Sequence, residues 1–202
     1  MNAQSKQKPL TVTEFLEWAG AYDGDGKFEL HDGVIVPIRT SFIIGASTIA
    51  MAPERVRHGQ AKLNIAIALK AAVKTAGLSC EAFVDSIGVA IDAFTTYIPG
   101  ALVNCGERLL RDAMLATNPI IVVEVFSPSS ASRDQLVKIR HYFTIPSIVH
   151  VLTVNGEARE IYHHTRGEGG AFVSRLAGET LRLDPPGMEI DLKEIFEDEH
   201  SH

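Results

Sequence analysis

The residues NPIIVVEVFSPSSASRDQLVKIRHYF, Asn118 to Phe143, combine an apolar run, a polar turn and a helical pattern, and they decide the predicted fold. Ile120–Val123 and Val125–Phe126 are apolar and rich in β-branched residues, which favours a strand. A run that is apolar on both faces is typical of a central strand covered on both sides. The carboxylate inside this run, Glu124, is costly to bury unless a partner compensates its charge. We therefore expect a metal, a lysine or a hydrogen-bond network beside Glu124.

The helix predicted after this strand carries the candidate partner. Its apolar stripe at helical spacing comprises Leu136, Ile139 and Phe143. Lys138 and Tyr142 flank the stripe one turn apart, so the ammonium of Lys138 can point toward Glu124. In a simpler alternative, Lys138 pairs with Asp134 at the i, i+4 spacing and Glu124 is an edge residue. The spacing alone leaves both alternatives open.

Length, composition and charge favour an ordinary globular protein. The chain has 202 residues, of which 46% are hydrophobic and 22% are charged, so we expect one domain over residues 11–197 between disordered tails at 1–10 and 198–202. The net charge of −6 has the wrong sign for a general polyanion binder, although it leaves room for a local basic face.

The sequence also suggests a compartment. It contains no apolar stretch of the roughly 18 residues that indicate a membrane span, and its first residues lack the apolar segment of a secretory signal. Cys80 and Cys105 are too few for a disulfide framework and are expected to be free thiols, which points to the cytoplasm.

Several other elements can be placed. Asp32-Gly33 predicts a hairpin turn, and the simplest reading of the preceding Glu29 is an exposed strand residue. A long helix is expected over 59–77, with His58 before it as a surface residue. The segment 41–52 has no clear period and could be a strand, a loop or an interface. Strands are predicted around Asn155-Gly156, and a short closing helix is predicted in DLKEIF. Four histidines are expected to have no function: His163, His164, His200 and His202.

Five motifs together resemble the Uma-two family of bacterial restriction-endonuclease-like proteins, in the PD-(D/E)XK superfamily. The motifs are ELHDG, MAPE-x3-H, IP-x-ALV, IIVVEVFSPSS-x3-D-x3-K-x3-Y and NGEAREIY. The resemblance covers about residues 11–197, and the fourth motif is its most specific part. It implies an α/β restriction-endonuclease-like core, in which helices flank a central mixed β-sheet, with additional β-hairpins.

The resemblance also implies a site and a function. An aspartate and a glutamate on adjacent strands would hold Mg²⁺ or Mn²⁺, and Glu124 matches the glutamate. Lys138, supplied by the following helix, takes the place of the superfamily lysine. Glu29 matches the N-terminal acidic residue of the family, and His58 matches its helix-leading histidine. The implied partners are DNA and a second copy of the chain in a homodimer, with no membrane.

Two departures from the family pattern bear on activity. Gly100 stands where the family has the aspartate, so the metal loses a side-chain ligand unless Asp85 or Asp92 replaces it. About a dozen extra residues, within 37–50, separate the first two motifs. Three hypotheses follow: a metal-dependent DNA endonuclease weakened by Gly100, an inactive nuclease fold that binds nucleic acid or protein, and an oligomeric protein that uses 41–52 as an interface.

Overall fold

The structure, a computed structural model, describes residues 8–24, 26–38, 43–44, 47–48, 56–126, 132–193 and 195–196. The chain divides into two compact units, one formed by residues 1–53 and 88–98 and the other by residues 54–87 and 99–202. A single domain over 11–197 stays a prediction, and most of the predicted terminal tails lies outside the described residues.

The described residues form three α-helices and fourteen short or medium strands. The helices are α1 (Val12–Ala21), α2 (Val56–Thr75) and α3 (Ser132–Tyr142). The strands are β1 (Phe28–His31), β2 (Val34–Pro37), β3 (Ile43–Ile44), β4 (Ser47–Thr48), β5 (Cys80–Val84), β6 (Val89–Ala90), β7 (Thr96–Tyr97), β8 (Ala101–Cys105), β9 (Pro119–Phe126), β10 (His150–Asn155), β11 (Glu160–Arg166), β12 (Phe172–Leu176), β13 (Thr180–Leu183) and β14 (Met188–Asp191).

The first unit is built on a four-stranded sheet in the order β2-β1-β7-β6. Its helix α1 begins after Thr11, which forms a capping box with Glu14. The hairpin predicted at Asp32-Gly33 is present, and both residues have positive φ angles, 49° and 78°, as a two-residue hairpin turn requires. Within 37–50, the described residues are the end of β2, Ile38 and the small β3–β4 pair.

The second unit contains a six-stranded sheet in the order β12-β11-β10-β9-β8-β5. β9 and β10 are parallel and the other neighbours are antiparallel, so the predicted mixed central sheet is confirmed. Parallel neighbours need a long crossover connection, and α3 lies within the one that joins β9 to β10.

The two faces of β9 contact different helices. Ile121, Val123 and Val125 share a buried cluster with Ile65 and Leu69 of α2. Because successive strand residues point to opposite faces, the side chain of Glu124 points away from α2. α3 supplies its partners on that opposite face. The β13–β14 hairpin belongs to the same apolar cluster as α2.

Helix α2 is displaced from its predicted bounds by a few residues. It begins at Val56, so His58 lies in its first turn and not before it. Its predicted stop at Gly77 is confirmed. Gly77 has a φ of 63°, and the N–H of Leu78 donates to the carbonyl of Val73 at 3.1 Å, which is the bond pattern of a Schellman ending.

The expectation of free thiols was wrong. Cys80 and Cys105 form a disulfide between β5 and β8. The antiparallel register sets these two residues directly opposite each other, a long-range pairing that the sequence spacing does not reveal. The inference of a reducing compartment rested on free thiols and therefore loses its basis.

The C-terminal part differs from its prediction at one element. The segment Thr180–Leu183, which the sequence indicates as a short edge strand, pairs with β14 in a separate two-stranded sheet, whereas the described residues of 191–196 are not helical, so the closing helix expected in DLKEIF is wrong. In the part of the chain that the structure describes, no helix is both long and apolar enough to cross a bilayer.

Candidate active site

Glu124 is the buried acidic group of the central strand. β9 is paired on both sides, with β8 and with β10, and the Glu124 residue is only 6% exposed. The hydroxyl of Tyr142 donates to Glu124 Oε1 at 2.6 Å, and Lys138 Nζ lies 3.6 Å from the same oxygen. The alternative in which Glu124 is an edge residue is therefore wrong, and the expected approach of Lys138 to Glu124 is found.

The face that α3 turns to the sheet explains this arrangement. The helix buries Ile139, Tyr142 and Phe143, which form an i, i+3, i+4 set on one side of a helix. Lys138 stands one turn before Tyr142 and so reaches the same carboxylate. Leu136, which was predicted to belong to the buried stripe, is 46% exposed, because fully buried Tyr142 occupies the sheet-facing side instead.

Tyr142 is the residue that sequence reasoning missed. The sequence pattern places Tyr142 one turn from Lys138 but indicates no role for its hydroxyl. The signal was present in the x3 spacing of the K-x3-Y motif, which puts both side chains on one helical face. With a cation and a hydroxyl donor on one oxygen, the buried carboxylate has the compensation that its low exposure demands.

Position 100 contributes no oxygen ligand from a side chain. Gly100 immediately precedes β8, beside the end of β9. A Cβ at this position would lie 3.2 Å from Val125 Cγ2, 3.4 Å from the carbonyl oxygen of Val123 and 3.5 Å from Lys62 Cγ. A side chain there would thus begin beside the neighbours of Glu124, but on the side of the sheet that α2 covers.

The two aspartates considered as replacements have separate surroundings. Asp85 donates its backbone N–H to the carbonyl of Gly100 at 3.1 Å, and its carboxylate lies 3.5 Å from Lys62 Nζ. Asp85 is therefore next to position 100 and already has a cation as a partner. Asp92 belongs to the other unit, where its side chain accepts the N–H of Phe94 at 2.7 Å in a turn.

The described residues do not fit the two-carboxylate metal site that the resemblance implies. Mg²⁺ prefers hard oxygen ligands and is held by one or two carboxylates. Glu124 supplies one, and Gly100 supplies none. Across the described ranges, no group of three or more His, Cys, Asp or Glu side chains could hold a metal ion. We therefore derive no chemical step through a metal.

Glu29 is buried, which corrects the reading of an exposed strand residue. It is 5% exposed in β1. Its Oε1 accepts the N–H of Ile98 at 3.0 Å, and its Oε2 lies 2.9 Å from His31 Nε2. Both partners belong to the first unit, and their contacts account for the burial of a carboxylate there.

His58 is half-buried and lies in the first turn of α2, in the second unit. Of the four side chains predicted to be catalytic, the structure thus brings Glu124 and Lys138 together. Glu29 has partners of its own, and the role of His58 stays a prediction.

Comparison with known proteins agrees with this architecture. Residues 12–196 match Uma2, a family described as "Putative restriction endonuclease". The chain belongs to the Uma2 family. The resemblance drawn from the five sequence motifs is confirmed, and nuclease-like character follows at the level of the family.

Two individual proteins extend the comparison of this Uma2 chain. An uncharacterized protein of Synechocystis sp. is 26% identical over 187 residues, which cover 91% of this chain and 96% of that protein. The crystal structure of a protein from Anabaena variabilis, titled a putative nuclease of DUF820, aligns with a TM-score of 0.66 and 13% identity. That alignment covers 93% of this chain and 98% of the other, and it shows a shared fold.

The histidines of β10 and β11 form a buried network on two faces. His150 Nε2 donates to the carbonyl of Pro185 at 2.8 Å, so in neutral His150 the Nδ1 atom accepts from His163 Nε2 at 2.9 Å. His164 points to the opposite face, where its ring nitrogens contact Thr153 and Ser174. Because adjacent strand residues face opposite sides, His163 and His164 are a poor pair for chelating one ion.

These histidines should make stability depend on pH. Burial, together with nearby His150, lowers the pKa of His163 from 6.5 to about 4, and burial lowers the pKa of His164 to about 4. Because the unfolded chain takes up protons at higher pH than the folded chain, this contribution is present above about pH 6.5 and is lost as the pH falls toward 4. Urea unfolding at pH 7.5 and 4.5 should show a lower midpoint at the acidic pH.

The variant His164→Gln should lose less stability between these two pH values than the natural chain does. An equal loss in the natural chain and in His164→Gln would contradict the assignment.

Removal of the Tyr142 hydroxyl tests the compensation of Glu124. Tyr142→Phe deletes a donor at 2.6 Å from a buried carboxylate, so we expect the free energy of unfolding to fall by about 1–3 kcal/mol. Tyr162→Phe is the control, because Tyr162 is exposed and its hydroxyl lies 3.5 Å from Glu160. Urea titration of both variants measures the two losses in the free energy of unfolding. Equal losses would contradict a stabilising role for the Tyr142–Glu124 hydrogen bond.

Proposed function

We propose that this chain is an endonuclease-fold protein that hydrolyses phosphodiester bonds in DNA, with an activity weakened because Gly100 replaces the family aspartate. The observation that carries the proposal is the Lys138 ammonium, 3.6 Å from the buried carboxylate of Glu124 near the end of the central strand. Membership of the Uma2 family supports the reaction class. DNA as substrate, and a homodimer as the assembly, are parts of this proposal.

The chemistry of phosphodiester cleavage gives Lys138 a role. Negative charge builds up on the phosphoryl oxygens in the transition state, and a positioned cation stabilises it. The Lys138 side chain is 19% exposed, and its ammonium lies beside the Glu124 oxygen that also accepts the Tyr142 hydroxyl. Lys138 would thus be the catalytic cation, and Glu124 the group that positions it.

Glu29 and His58 remain further candidates in this proposal. Each matches a family position in the sequence, and Glu29 is held by His31 and by the N–H of Ile98. A role for Glu29 in cleavage would have to coexist with both of these contacts.

A second function is favoured by a specific observation. A side chain at position 100 would begin on the α2 side of the sheet, beside Val125 Cγ2 and Lys62 Cγ, whereas Glu124 points away from α2. This geometry favours a catalytically inactive nuclease fold that binds nucleic acid or forms oligomers. Size-exclusion chromatography with light scattering tests the homodimer in either case.

Restoring the carboxylate separates the two functions. In Gly100→Asp, the new Cβ would lie 3.2 Å from Val125 Cγ2, which is slightly closer than an ordinary van der Waals contact. The variant therefore fits if Val125 moves by a few tenths of an ångström. If the site is a weakened nuclease, cleavage of supercoiled plasmid DNA with Mg²⁺ or Mn²⁺ should rise at least about tenfold, because a second carboxylate completes the ligand pair. Gly100→Asn is the matched control without charge and should show no gain.

A folded Gly100→Asp variant that cleaves no faster than the natural chain would support the inactive fold. Circular dichroism and a urea titration establish that the variant is folded.

Removal of the lysine tests the catalytic cation. Lys138→Met keeps the aliphatic stem but removes the charge, and cleavage should fall at least about 100-fold in both the natural and the Gly100→Asp backgrounds. Lys70→Met, on an exposed position of α2, is the control and should cleave normally. Normal cleavage by a folded Lys138→Met variant would contradict the role of Lys138.

A further inference from the structure

We propose that a small pocket at the sheet end that carries Glu124 binds a phosphate group of the DNA strand, an inference that rests on the proposed function. The pocket has a volume of about 120 Å³ and lies between the first turns of α2 and the turn that joins β10 to β11. Its apolar floor is formed by Ile195 and Phe196. All of its lining residues belong to the second unit.

The sheet register relates this pocket to Glu124. β9 and β10 are parallel, with Glu124 opposite Thr153 and Phe126 opposite Asn155. The turn that begins after Asn155 therefore leaves the sheet at the same end as Glu124. In open α/β sheets, ligands bind at the carboxyl ends of parallel strands. The pocket lies on the α2 side of this sheet end and Glu124 points to the α3 side, so a DNA strand in contact with both would have to cross the end of the sheet.

The lining is positively charged, although the whole chain is acidic. Arg57 and Arg159 line the pocket with the amides of Gln60 and Asn64, and Glu157 is the one carboxylate among its described lining residues. These described residues carry a formal charge of +1, in a chain whose net charge is −6. Guanidinium groups present forked donors that match the oxygens of a phosphate.

The turn that carries Arg159 has a fixed shape. The side chain of Asn155 accepts the N–H groups of Glu157 and Ala158, both at 3.1 Å. Arg159 has a φ of 56°, an unfavourable conformation for a residue with a side chain, and its guanidinium lies 5.9 Å from the centre of the Phe196 ring. Strained residues that the surroundings hold in place are common at binding sites.

The other wall of the pocket is built on α2. The Asn64 amide donates to the carbonyl of Ile195 at 3.1 Å, which ties the helix to the floor. A Cβ at Gly156 would lie 3.4 Å from the carbonyl oxygen of Arg57, so the turn approaches the helix closely at this glycine. Arg57 and Arg159 are thereby carried by two elements in contact, and a phosphate between them needs little reorganisation of the protein.

The test uses the full chain and two probes in buffer that contains EDTA, so that it does not depend on cleavage. The first probe is inorganic phosphate, followed by isothermal titration calorimetry. The second is a fluorescein-labelled DNA duplex, followed by anisotropy at several salt concentrations. Phosphate from DNA and free phosphate share the same chemistry, and the two probes distinguish them.

The double variant Arg57→Gln/Arg159→Gln should bind the duplex at least about tenfold more weakly, and the slope of log affinity against log salt should fall by about 1. Glu157→Gln should bind several-fold more tightly, because it removes the negative charge of a described lining residue. Arg108→Gln/Arg182→Gln is the control for charge, since both arginines are exposed and lie outside the pocket.

The binding results decide between the pocket and the proposed function. Weaker phosphate and DNA binding in the pocket variant, but not in the control, supports the inference. Equal phosphate and DNA binding by the natural chain and the pocket variant overturns the pocket and leaves the proposed function intact. Phosphate binding through the pocket by a natural chain that does not bind DNA overturns the DNA-directed inference together with the proposed function. Circular dichroism and urea titration identify any variant that fails to fold, and the opposite effect of Glu157→Gln then provides an independent measurement.

Discussion

The burial of one carboxylate inside an apolar strand is the constraint on which the second unit depends. Glu124 lies on a strand paired on both sides and is only 6% exposed, so its charge must be compensated within the protein. The compensation comes from α3, where Lys138 and Tyr142 converge on one oxygen. This contact fixes which face of α3 meets the sheet, and α3 lies in the crossover that makes β9 and β10 parallel.

The part of this arrangement that could be predicted from the sequence is local. Glu124 and Lys138 are 14 positions apart, and the sequence between them predicts the end of a strand, a polar turn and the start of a helix. A helical spacing of four residues then brings Lys138 and Tyr142 to one face. The Asp32-Gly33 hairpin and the Gly77 helix stop could be predicted for the same reason, because each is set by the φ angles of one or two residues.

The features that escaped prediction depend on partners distant in sequence. Glu29 is buried because the N–H of Ile98, 69 positions later, donates to it. The disulfide depends on the register of β5 against β8, which no local pattern specifies. The Arg57–Arg159 pocket joins a helix, a turn and the residues near the C-terminus. In each case the local sequence around these residues does not specify their partners, and only the tertiary contacts bring the partners together.

The same constraint explains how the fold keeps Glu124 buried whether or not a metal binds beside it. A buried carboxylate that relied on a metal alone would be left uncompensated without that metal, at a cost of several kcal/mol. In this chain the ammonium of Lys138 and the hydroxyl of Tyr142 contact Glu124 directly. The stability of the sheet and the capacity for cleavage are therefore separable here: Glu124 retains its structural partners whether or not position 100 offers an oxygen, and the fold alone does not decide the activity.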